Sequence, residues 1–242
     1  MPSASDAERR GPALPPDVPP DLDRDFRAFS AELASAARVP GSPEALRTLA
    51  TDERALARLT RFALLLHRQS DRIALLAEGD RSRVFTRHLL DSLNPLSLFD
   101  EAPSSLIDVG SGAGLPGIPL AIAWPGTRVT LLESREKKAG FLERAARESE
   151  LTNVDVVCAR LEEVGSGWKG GSFEAITIRA LGGIPDLLRS ASSVAAPGAR
   201  WVYFLGDPER SGGVRARVQE IAPDATVARG AVGGWLLTGR FA

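Results

Sequence analysis

The feature that most constrains the fold is a change of pattern at Ser105, where short apolar runs begin to alternate with amphipathic stretches. Such alternation predicts βαβ units and an α/β fold with a mostly parallel sheet. Two further apolar runs follow with no clear helix between them, and they predict an antiparallel hairpin that completes a seven-stranded sheet. The candidate strands are 106–109, 128–133, 154–158, 173–178, 199–205, 226–228 and 234–241.

The segment before the sheet has a different composition. Residues 1–21 hold six of the 17 prolines and almost no large apolar side chain, which predicts a disordered tail. From Asp23 to about Phe99 the pattern is helical, with a last helix expected from about Arg81 to Leu98 and broken or kinked near Pro95. We therefore expect a tail (1–21), a helical region that faces the substrate (22–100) and a ligand-binding domain (101–242).

Composition excludes several classes of protein. A chain of 242 residues buries enough surface to fold without a disulfide or a metal. One cysteine, Cys158, and two histidines cannot build a disulfide framework or a His/Cys zinc cluster, so we expect no metal site. Cys158 itself is predicted to be buried in a strand. No apolar run reaches ~18 residues and no secretory signal is recognisable, so we expect no membrane contact and a cytoplasmic location.

The charge is unevenly distributed. The formal net charge of −1 is not typical of a nucleic-acid-binding protein. Between Arg54 and Arg87, however, the sequence contains eight arginines and only three acidic residues. This arginine row is either a solvated face or a surface that contacts phosphates, and the sequence leaves both interpretations open.

A glycine-rich stretch follows the first strand directly and precedes a helix. Its sequence is DVGSGAGLPG, and we call residues 108–117 the glycine turn. Glycine permits positive φ and lets a ligand approach the backbone closely. The next helix presents free N–H groups, and the turn lies at the carboxyl ends of the strands, where α/β sheets bind their ligands. The sequence therefore predicts a ligand site at this turn.

The type of ligand follows from the acidic residues around the turn. Gly112 to Gly117 matches the dinucleotide fingerprint G-x-G-x-x-G, which alone is a weak signal. Asp108 places a carboxylate at the strand end, near where a methionine ammonium would lie. Glu133 ends the second strand and is expected to accept hydrogen bonds from ribose hydroxyls, as in NAD sites. The alternating Gly110, Gly112 and Gly114 need no pyrophosphate, so S-adenosylmethionine is favoured over NAD(P) and over a tight turn without a ligand.

With these motifs the sequence resembles the RsmG (GidB) family of 16S ribosomal RNA guanine-N7 methyltransferases over about residues 45–240. The resemblance rests on RHLLDSL at 87–93, IDVGSGAGLPGIPLA at 107–121, LLESREKKAGFL at 131–142, ARLEE at 159–163 and IRA at 178–180. It implies a Rossmann-like class I methyltransferase fold. It also implies a cytosolic enzyme that uses S-adenosylmethionine and acts on 16S ribosomal RNA or the small ribosomal subunit; we expect a monomer.

The resemblance assigns cofactor contacts residue by residue. Gly110 and Leu115 match such contacts in the glycine turn, Leu161 and Glu162 match the adenine contacts after the third strand, and Arg179 matches the cofactor-site arginine. Arg179 is expected to pair with the methionine carboxylate or guanine O6, or to stack on the base. The alternative is a buried structural ion pair.

The resemblance also implies substrate contacts. They are expected from Arg87, His88, Asp91 and Ser92 before the first strand and from Lys137 and Lys138 in the second helix of the domain. His88 is, with Arg179, our candidate catalytic residue; it would donate to guanine or orient Asp91, and the alternative is a histidine that caps or bridges a helix.

Two family elements are absent from this chain. Ala74-Leu75-Leu76 stands where the family has Asn-Leu-Thr, and Leu205-Gly206 stands where it has Lys-Gly. Both lie near the expected substrate pocket, so they bear on the target nucleotide or the rate rather than on the cofactor.

Guanine N7 has a free lone pair and no proton at pH 7, so its methylation needs no general base, and positioning and electrostatics supply the catalysis. Because the major groove of A-form RNA is deep and narrow, the target base must be in a loop or flipped out. Two other hypotheses remain open. One is a methyltransferase that acts on another RNA, a small molecule or a protein; the other is a non-catalytic protein that binds RNA or a dinucleotide.

Overall fold

A seven-stranded sheet forms the centre of the computed structural model, which describes residues 14–16, 18–165, 172–206 and 212–242. The strand order is β3-β2-β1-β4-β5-β7-β6. Strands β1 to β5 are parallel, and β7 runs antiparallel to both β5 and β6. The strands are β1 (Ser105–Val109), β2 (Arg128–Leu132), β3 (Val154–Val157), β4 (Phe173–Ile178), β5 (Ala195–Leu205), β6 (Thr226–Arg229) and β7 (Trp235–Arg240). This confirms the predicted α/β fold with a C-terminal hairpin.

Among the described residues, three α-helices precede the sheet: α1 (Pro20–Ala37), α2 (Glu44–Thr51) and α3 (Glu53–Gln69). The first begins inside the predicted tail, of which residues 1–13 and 17 lie outside the described residues. Asp52 starts α3 because its side chain accepts hydrogen bonds from the Arg54 and Ala55 amides at 2.9 and 3.1 Å.

The segment between α3 and the sheet differs from the single helix expected over 81–98. It forms a 3₁₀ helix (Glu78–Arg83), a π-helix (Val84–Leu90) and a second 3₁₀ helix (Asn94–Leu98). The buried Asp25 of α1 accepts hydrogen bonds from the Phe85 and Thr86 amides at 2.7 and 3.3 Å, which fixes where the π-helix begins. Pro95 lies in the first turn of the last helix, where its missing N–H costs nothing.

Helices cover both faces of the central strands. All five residues of β1 are buried, as is typical of a parallel strand between two helical layers. The helices after the first strand are α4 (Gly117–Ala123), α5 (Glu136–Glu148), α6 (Leu161–Gly165), α7 (Ile184–Ala191) and α8 (Gly212–Gln219). Because β3 is an edge strand, Cys158, which follows it, is exposed, and the prediction of a buried cysteine was wrong.

Two apolar clusters lie on opposite faces of the sheet. In the first cluster, the helices α1, α2, α3, α4 and α5 and the π-helix pack together with Leu106, Val129 and Leu131 of the sheet. The other packs α7 against Ile107 and Ile176. The first cluster spans both sides of residue 101, so the helical region packs directly on the sheet; the domain division at that residue stays a prediction. None of the helices in the described ranges combines the length and the hydrophobicity that a membrane crossing requires.

Candidate active site

The glycine turn adopts the backbone conformation that its sequence predicts. Gly110, Gly112 and Gly114 have φ values of 69°, 54° and 82°, which residues other than glycine rarely adopt. A Cβ at Gly110 would lie 2.6 Å from Leu181 Cδ1, and one at Gly114 would lie 2.7 Å from Ile118 Cδ1. At Gly112 the nearest atom would be 3.6 Å away, an ordinary contact distance, so this glycine is required by its backbone angle rather than by close packing.

The Asp108 side chain lies within the core rather than at the open edge of the sheet. It is 1 % exposed, its Oδ2 accepts a hydrogen bond from the Gly117 amide at 3.1 Å, and its Oδ1 accepts one from the Thr177 hydroxyl at 2.8 Å. Burial raises the pKa of the Asp108 carboxyl to about 6. The Asp108 carboxylate therefore joins the two ends of the glycine turn, and its predicted contact with a methionine ammonium stays a prediction.

Glu133 lies directly beside the turn. Its Oε2 accepts a hydrogen bond from the Gly112 amide and its Oε1 accepts one from the Arg135 amide, both at 2.9 Å. The residue is 7 % exposed. Each of its oxygens can accept one more hydrogen bond, as two ribose hydroxyls would require. The position fits the prediction, and the ribose contact itself stays a prediction.

The remaining cofactor candidates and the two lysines surround the same edge. Leu161 is buried at the start of α6, whereas the next residue, Glu162, is exposed. Leu115 is buried within the glycine turn. Lys138 Nζ lies 3.9 Å from the position that a Cβ on Gly112 would take, while Lys137 is exposed.

Arg179 follows β4 and joins the site to the RHLLDSL segment. Its Nη2 donates to Asp91 Oδ2 at 2.8 Å, and its Nη1 donates to Ser92 Oγ at 3.1 Å and to the His88 carbonyl at 3.5 Å. The next residue, Ala180, has a φ of 56°, a left-handed conformation that turns the chain directly after the arginine. We call Arg179, His88, Asp91 and Ser92 the arginine cluster.

The cluster combines opposite charges in a mostly buried setting. Burial raises the pKa of the Asp91 carboxyl above its ordinary value, against the opposing effect of Arg179. Burial also lowers the pKa of the Arg179 guanidinium, opposed mainly by Asp91. The guanidinium carbon lies 5.3 Å from the centre of the Phe204 ring, a cation–π contact that offsets part of its desolvation.

His88 is held as a neutral imidazole. Burial and then the positive charge of Arg179 lower its pKa to about 4. Its Nε2 is buried, has no hydrogen-bond partner among the described residues, and lies 3.7 Å from Asp80 Oδ2. Asp80 instead binds Arg87, whose Nε lies 2.7 Å from Asp80 Oδ1. The predicted orientation of Asp91 by the His88 side chain is not seen, since Arg179 and Asn94 hold that carboxylate.

Two further residues support the site without belonging to any of the sequence motifs. Thr177 supports Asp108, and its inward-facing place in a buried strand was the only available signal. Asn94 donates from Nδ2 to the Asp91 carbonyl at 2.9 Å and to Asp91 Oδ1 at 2.8 Å. Its place three residues after Asp91, beside Pro95, was the signal that pointed to a capping side chain.

The arginine row divides between two regions. Arg58 donates to the Glu150 carbonyl at 3.0 Å, and Arg61 pairs with the Glu150 carboxylate at 2.5 Å. Glu150 precedes β3 and therefore lies at the amino ends of the strands, opposite the glycine turn. These two arginines fasten α3 to the sheet domain, and the phosphate contact of the other arginines in the row stays a prediction.

The sheet edge beyond β5 carries a cation that the motifs did not indicate. Leu205, at the carboxyl end of β5, pairs with Trp235 of β7. The Arg229 guanidinium carbon lies 4.6 Å from the centre of the Trp235 ring. Within the described ranges, no group of three or more His, Cys, Asp or Glu side chains is placed to hold a metal ion.

Comparison with known structures supports the fold. The chain superposes on an O-methyltransferase from Bacillus cereus, solved in complex with SAH, with a TM-score of 0.55 at 18 % identity, covering 89 % of this chain and all of that one. A second neighbour, described as a predicted O-methyltransferase from Agrobacterium tumefaciens, gives a TM-score of 0.50 at 21 % identity over 63 % of this chain and 78 % of its own.

Comparison of sequences is more specific. A protein from Coxiella burnetii (strain Dugway 5J108-111) named ribosomal RNA small subunit methyltransferase G is 38 % identical over 150 residues, which are 62 % of this chain and 71 % of that protein. A protein of the same name from Roseiflexus castenholzii is 36 % identical over 171 residues, 70 % of this chain and 73 % of its own. The GidB family, described as rRNA small subunit methyltransferase G, matches residues 55–220, a stretch that contains the glycine turn and the whole arginine cluster. The resemblance seen in the motifs is confirmed, and the chain belongs to the GidB family.

Proposed function

We propose that this protein transfers a methyl group from S-adenosylmethionine to N7 of one guanine in 16S ribosomal RNA. It acts on that RNA or on the small ribosomal subunit, in the cytoplasm and as a monomer. The observation that carries the proposal is the arginine cluster, because it brings Arg179 from the end of β4 against the RHLLDSL segment at the edge of the sheet that holds the glycine turn.

The residues at the turn fit this cofactor. The spare hydrogen-bonding capacity of Glu133, which holds the Gly112 amide, suits an adenosine ribose. Leu161 provides an apolar surface and Glu162 a polar group for the adenine. When bound, the cofactor supplies an electrophilic methyl group on a sulfonium. Gly110, Gly112, Gly114 and Leu115 shape its cradle, and Asp108 holds that cradle in place from the core.

The chain's own groups then act by position and charge. Arg179 remains protonated and presents donors to the methionine carboxylate or to guanine O6, while Asp91 and Ser92 fix its plane. The neutral His88 keeps a buried Nε2 that has no hydrogen-bond partner among the described residues. No side chain needs to remove a proton from N7, which agrees with a cluster that holds hydrogen-bond donors and an unprotonated imidazole.

The RNA surface is expected beside this cluster. Arg87, Lys138 and the exposed Lys137 offer cations for phosphates, and Arg229 with Trp235 offers a further cation and an aromatic ring at the same edge. Phosphate contacts of this kind make binding sensitive to salt.

The test supplies S-adenosylmethionine with three acceptors: small ribosomal subunits that lack 7-methylguanosine, the naked 16S RNA extracted from them, and large-subunit RNA as the control. Digestion and nucleoside mass spectrometry then measure 7-methylguanosine. We expect new 7-methylguanosine only in the small-subunit samples. Methylation of another atom, or of all three acceptors alike, would contradict the proposal.

A further inference from the structure

Asn94 is a buried amide with every hydrogen-bonding group in use. Its Oδ1 accepts hydrogen bonds from the Val232 amide at 3.2 Å and the Gly234 amide at 2.9 Å, while its Nδ2 donates to the carbonyl and the carboxylate of Asp91. It is 1 % exposed. The orientation of the amide is fixed by these partners, because residues 232 and 234 offer only N–H groups to it and Asp91 offers only oxygens.

The loop between β6 and β7 is shaped around this side chain. We call residues 230–234 the hairpin loop. The Ala231 amide donates to the Asn94 carbonyl at 3.1 Å, so main chain and side chain both hold the loop. A Cβ at Gly230 or at Gly234 would overlap the Asn94 amide, and both residues must therefore be glycine.

The contacts continue without a gap to the arginine cluster. Asn94 Nδ2 lies 2.8 Å from Asp91 Oδ1, and the other oxygen of that carboxylate lies 2.8 Å from Arg179 Nη2. Each carboxylate oxygen is thus claimed by a different partner, which leaves the carboxylate one orientation. A shift of the hairpin loop would move Asn94, and through it the acceptor that holds Arg179.

We propose that Asn94 is a positioning residue that sets the orientation of the Arg179 guanidinium, by way of Asp91, from the position of the hairpin loop. The inference rests on the proposed function for one point only, the cofactor or guanine that the oriented Arg179 would contact. The link from Asn94 through Asp91 to Arg179 is a property of the chain itself and can be measured without the reaction.

The charges around Asp91 decide which variant tests this link. Arg179 and Arg87 are the cations that act on its carboxylate, Asp80 and Asp108 act on Arg179, and His88 is neutral. Asn94→Asp keeps an acceptor oxygen for the two amides of the hairpin loop, but it places a second carboxylate oxygen where Asn94 donated to Asp91. Asp91 and the new carboxyl at position 94 then face each other, and two adjacent negative charges repel. One of the two carboxyls must take up a proton, so the pKa of this pair rises above that of Asp91 alone.

The experiment measures kcat/KM against pH for the full chain and for Asn94→Asp. We expect a loss of at least about tenfold at pH 7 and an acid limb displaced by at least about one pH unit to higher pH. The matched control is Asn153→Asp, because Asn153 donates from Nδ2 to three backbone carbonyls, those of Ala121, Trp124 and Thr127, at the amino end of the sheet. It should lose thermal stability and keep the wild-type acid limb.

A carboxyl-carbon NMR titration of Asp91 supplies the readout that does not depend on activity. If wild-type protein forms no 7-methylguanosine, the proposed function fails, while a raised Asp91 pKa in Asn94→Asp still supports the link. If wild type is active and Asn94→Asp shows the wild-type acid limb and the wild-type Asp91 titration, the positioning role is refuted. Should Asn94→Asp not fold, Asn94→Ser replaces it, with a loss in kcat/KM and a smaller rise in the Asp91 pKa expected; wild-type values of both would refute the role.

Discussion

The glycine turn holds a buried carboxylate, that of Asp108, and the arginine cluster holds a half-buried one, that of Asp91, with different partners. Asp108 is bound by neutral donors, the Gly117 amide and the Thr177 hydroxyl, whereas Asp91 is bound by the Arg179 guanidinium. Burial raises the pKa of both carboxyls, and at Asp91 the positive charge of Arg179 opposes this rise. The comparison indicates that Asp108 shapes a cradle and that Asp91 orients a charge, so substitutions in the two regions should fail in different ways.

The largest effect is expected from Arg179→Leu in the arginine cluster. The change removes the guanidinium and leaves the Asp91 carboxylate without its cation, so we expect kcat/KM to fall by at least about 100-fold, the scale of losing a preorganised donor. Methyl-transfer kinetics measure this, with circular dichroism to show that the fold is intact. Arg189→Leu, at an exposed ion pair on α7, is the matched control. Near-wild-type turnover in a folded Arg179→Leu protein would remove Arg179 from the site.

In the glycine turn, Gly110→Val should act on cofactor affinity. A side chain here meets both an unfavourable positive φ and the Leu181 side chain, so the turn must deform. We expect the Kd for S-adenosylhomocysteine, measured by calorimetry, to rise at least about tenfold. Gly126→Val is the control, because a Cβ at Gly126 meets no atom within 4 Å. Equal affinities of the two variants would show that the turn does not hold the cofactor.

Asp108 should show its burial as a dependence of stability on pH. Its pKa is about 6 in the folded state and about 3.8 when unfolded, so its protonated form favours folding below pH 4 and that contribution is lost as the pH rises through 6. The shift corresponds to about 3 kcal/mol at most. Urea unfolding from pH 4 to 7 should therefore show a steeper loss of unfolding free energy in wild type than in Asp108→Asn. Parallel curves for the two proteins would contradict the assignment.

His88→Gln should have the smallest effect. With a pKa of about 4, His88 is already neutral at pH 7, so its titration should not shape kcat between pH 6 and 8. We expect less than about a tenfold loss in kcat. His67→Gln is the control, since the His67 Nδ1 lies 3.0 Å from the Arg81 carbonyl, within the helical region. If the plot of kcat against pH showed an inflection near pH 6.5 that disappeared in His88→Gln but not in His67→Gln, proton transfer would be assigned to His88.

The same comparison explains what could be predicted from the sequence. The glycine turn is local, so the motif at 108–117 predicted its place, its positive φ values and its neighbour Glu133. The direction of the Asp108 carboxylate was not predictable, because Thr177, 69 residues away, decides it. The arginine cluster joins segments 87 residues apart and was predicted only through the family motifs. Asn94 was missed because its partners Val232 and Gly234 lie about 140 residues further along the chain.

The central claim is that this chain methylates a guanine N7 of 16S ribosomal RNA through a site that contains Arg179. The most direct measurement is nucleoside mass spectrometry of 16S RNA from cells that carry the gene, cells that lack it, and deleted cells supplied with the Arg179→Leu variant. We expect one 7-methylguanosine per 16S molecule to be lost on deletion, restored by the wild-type gene and not restored by the variant. An unchanged content of 7-methylguanosine in the deleted cells would contradict the account.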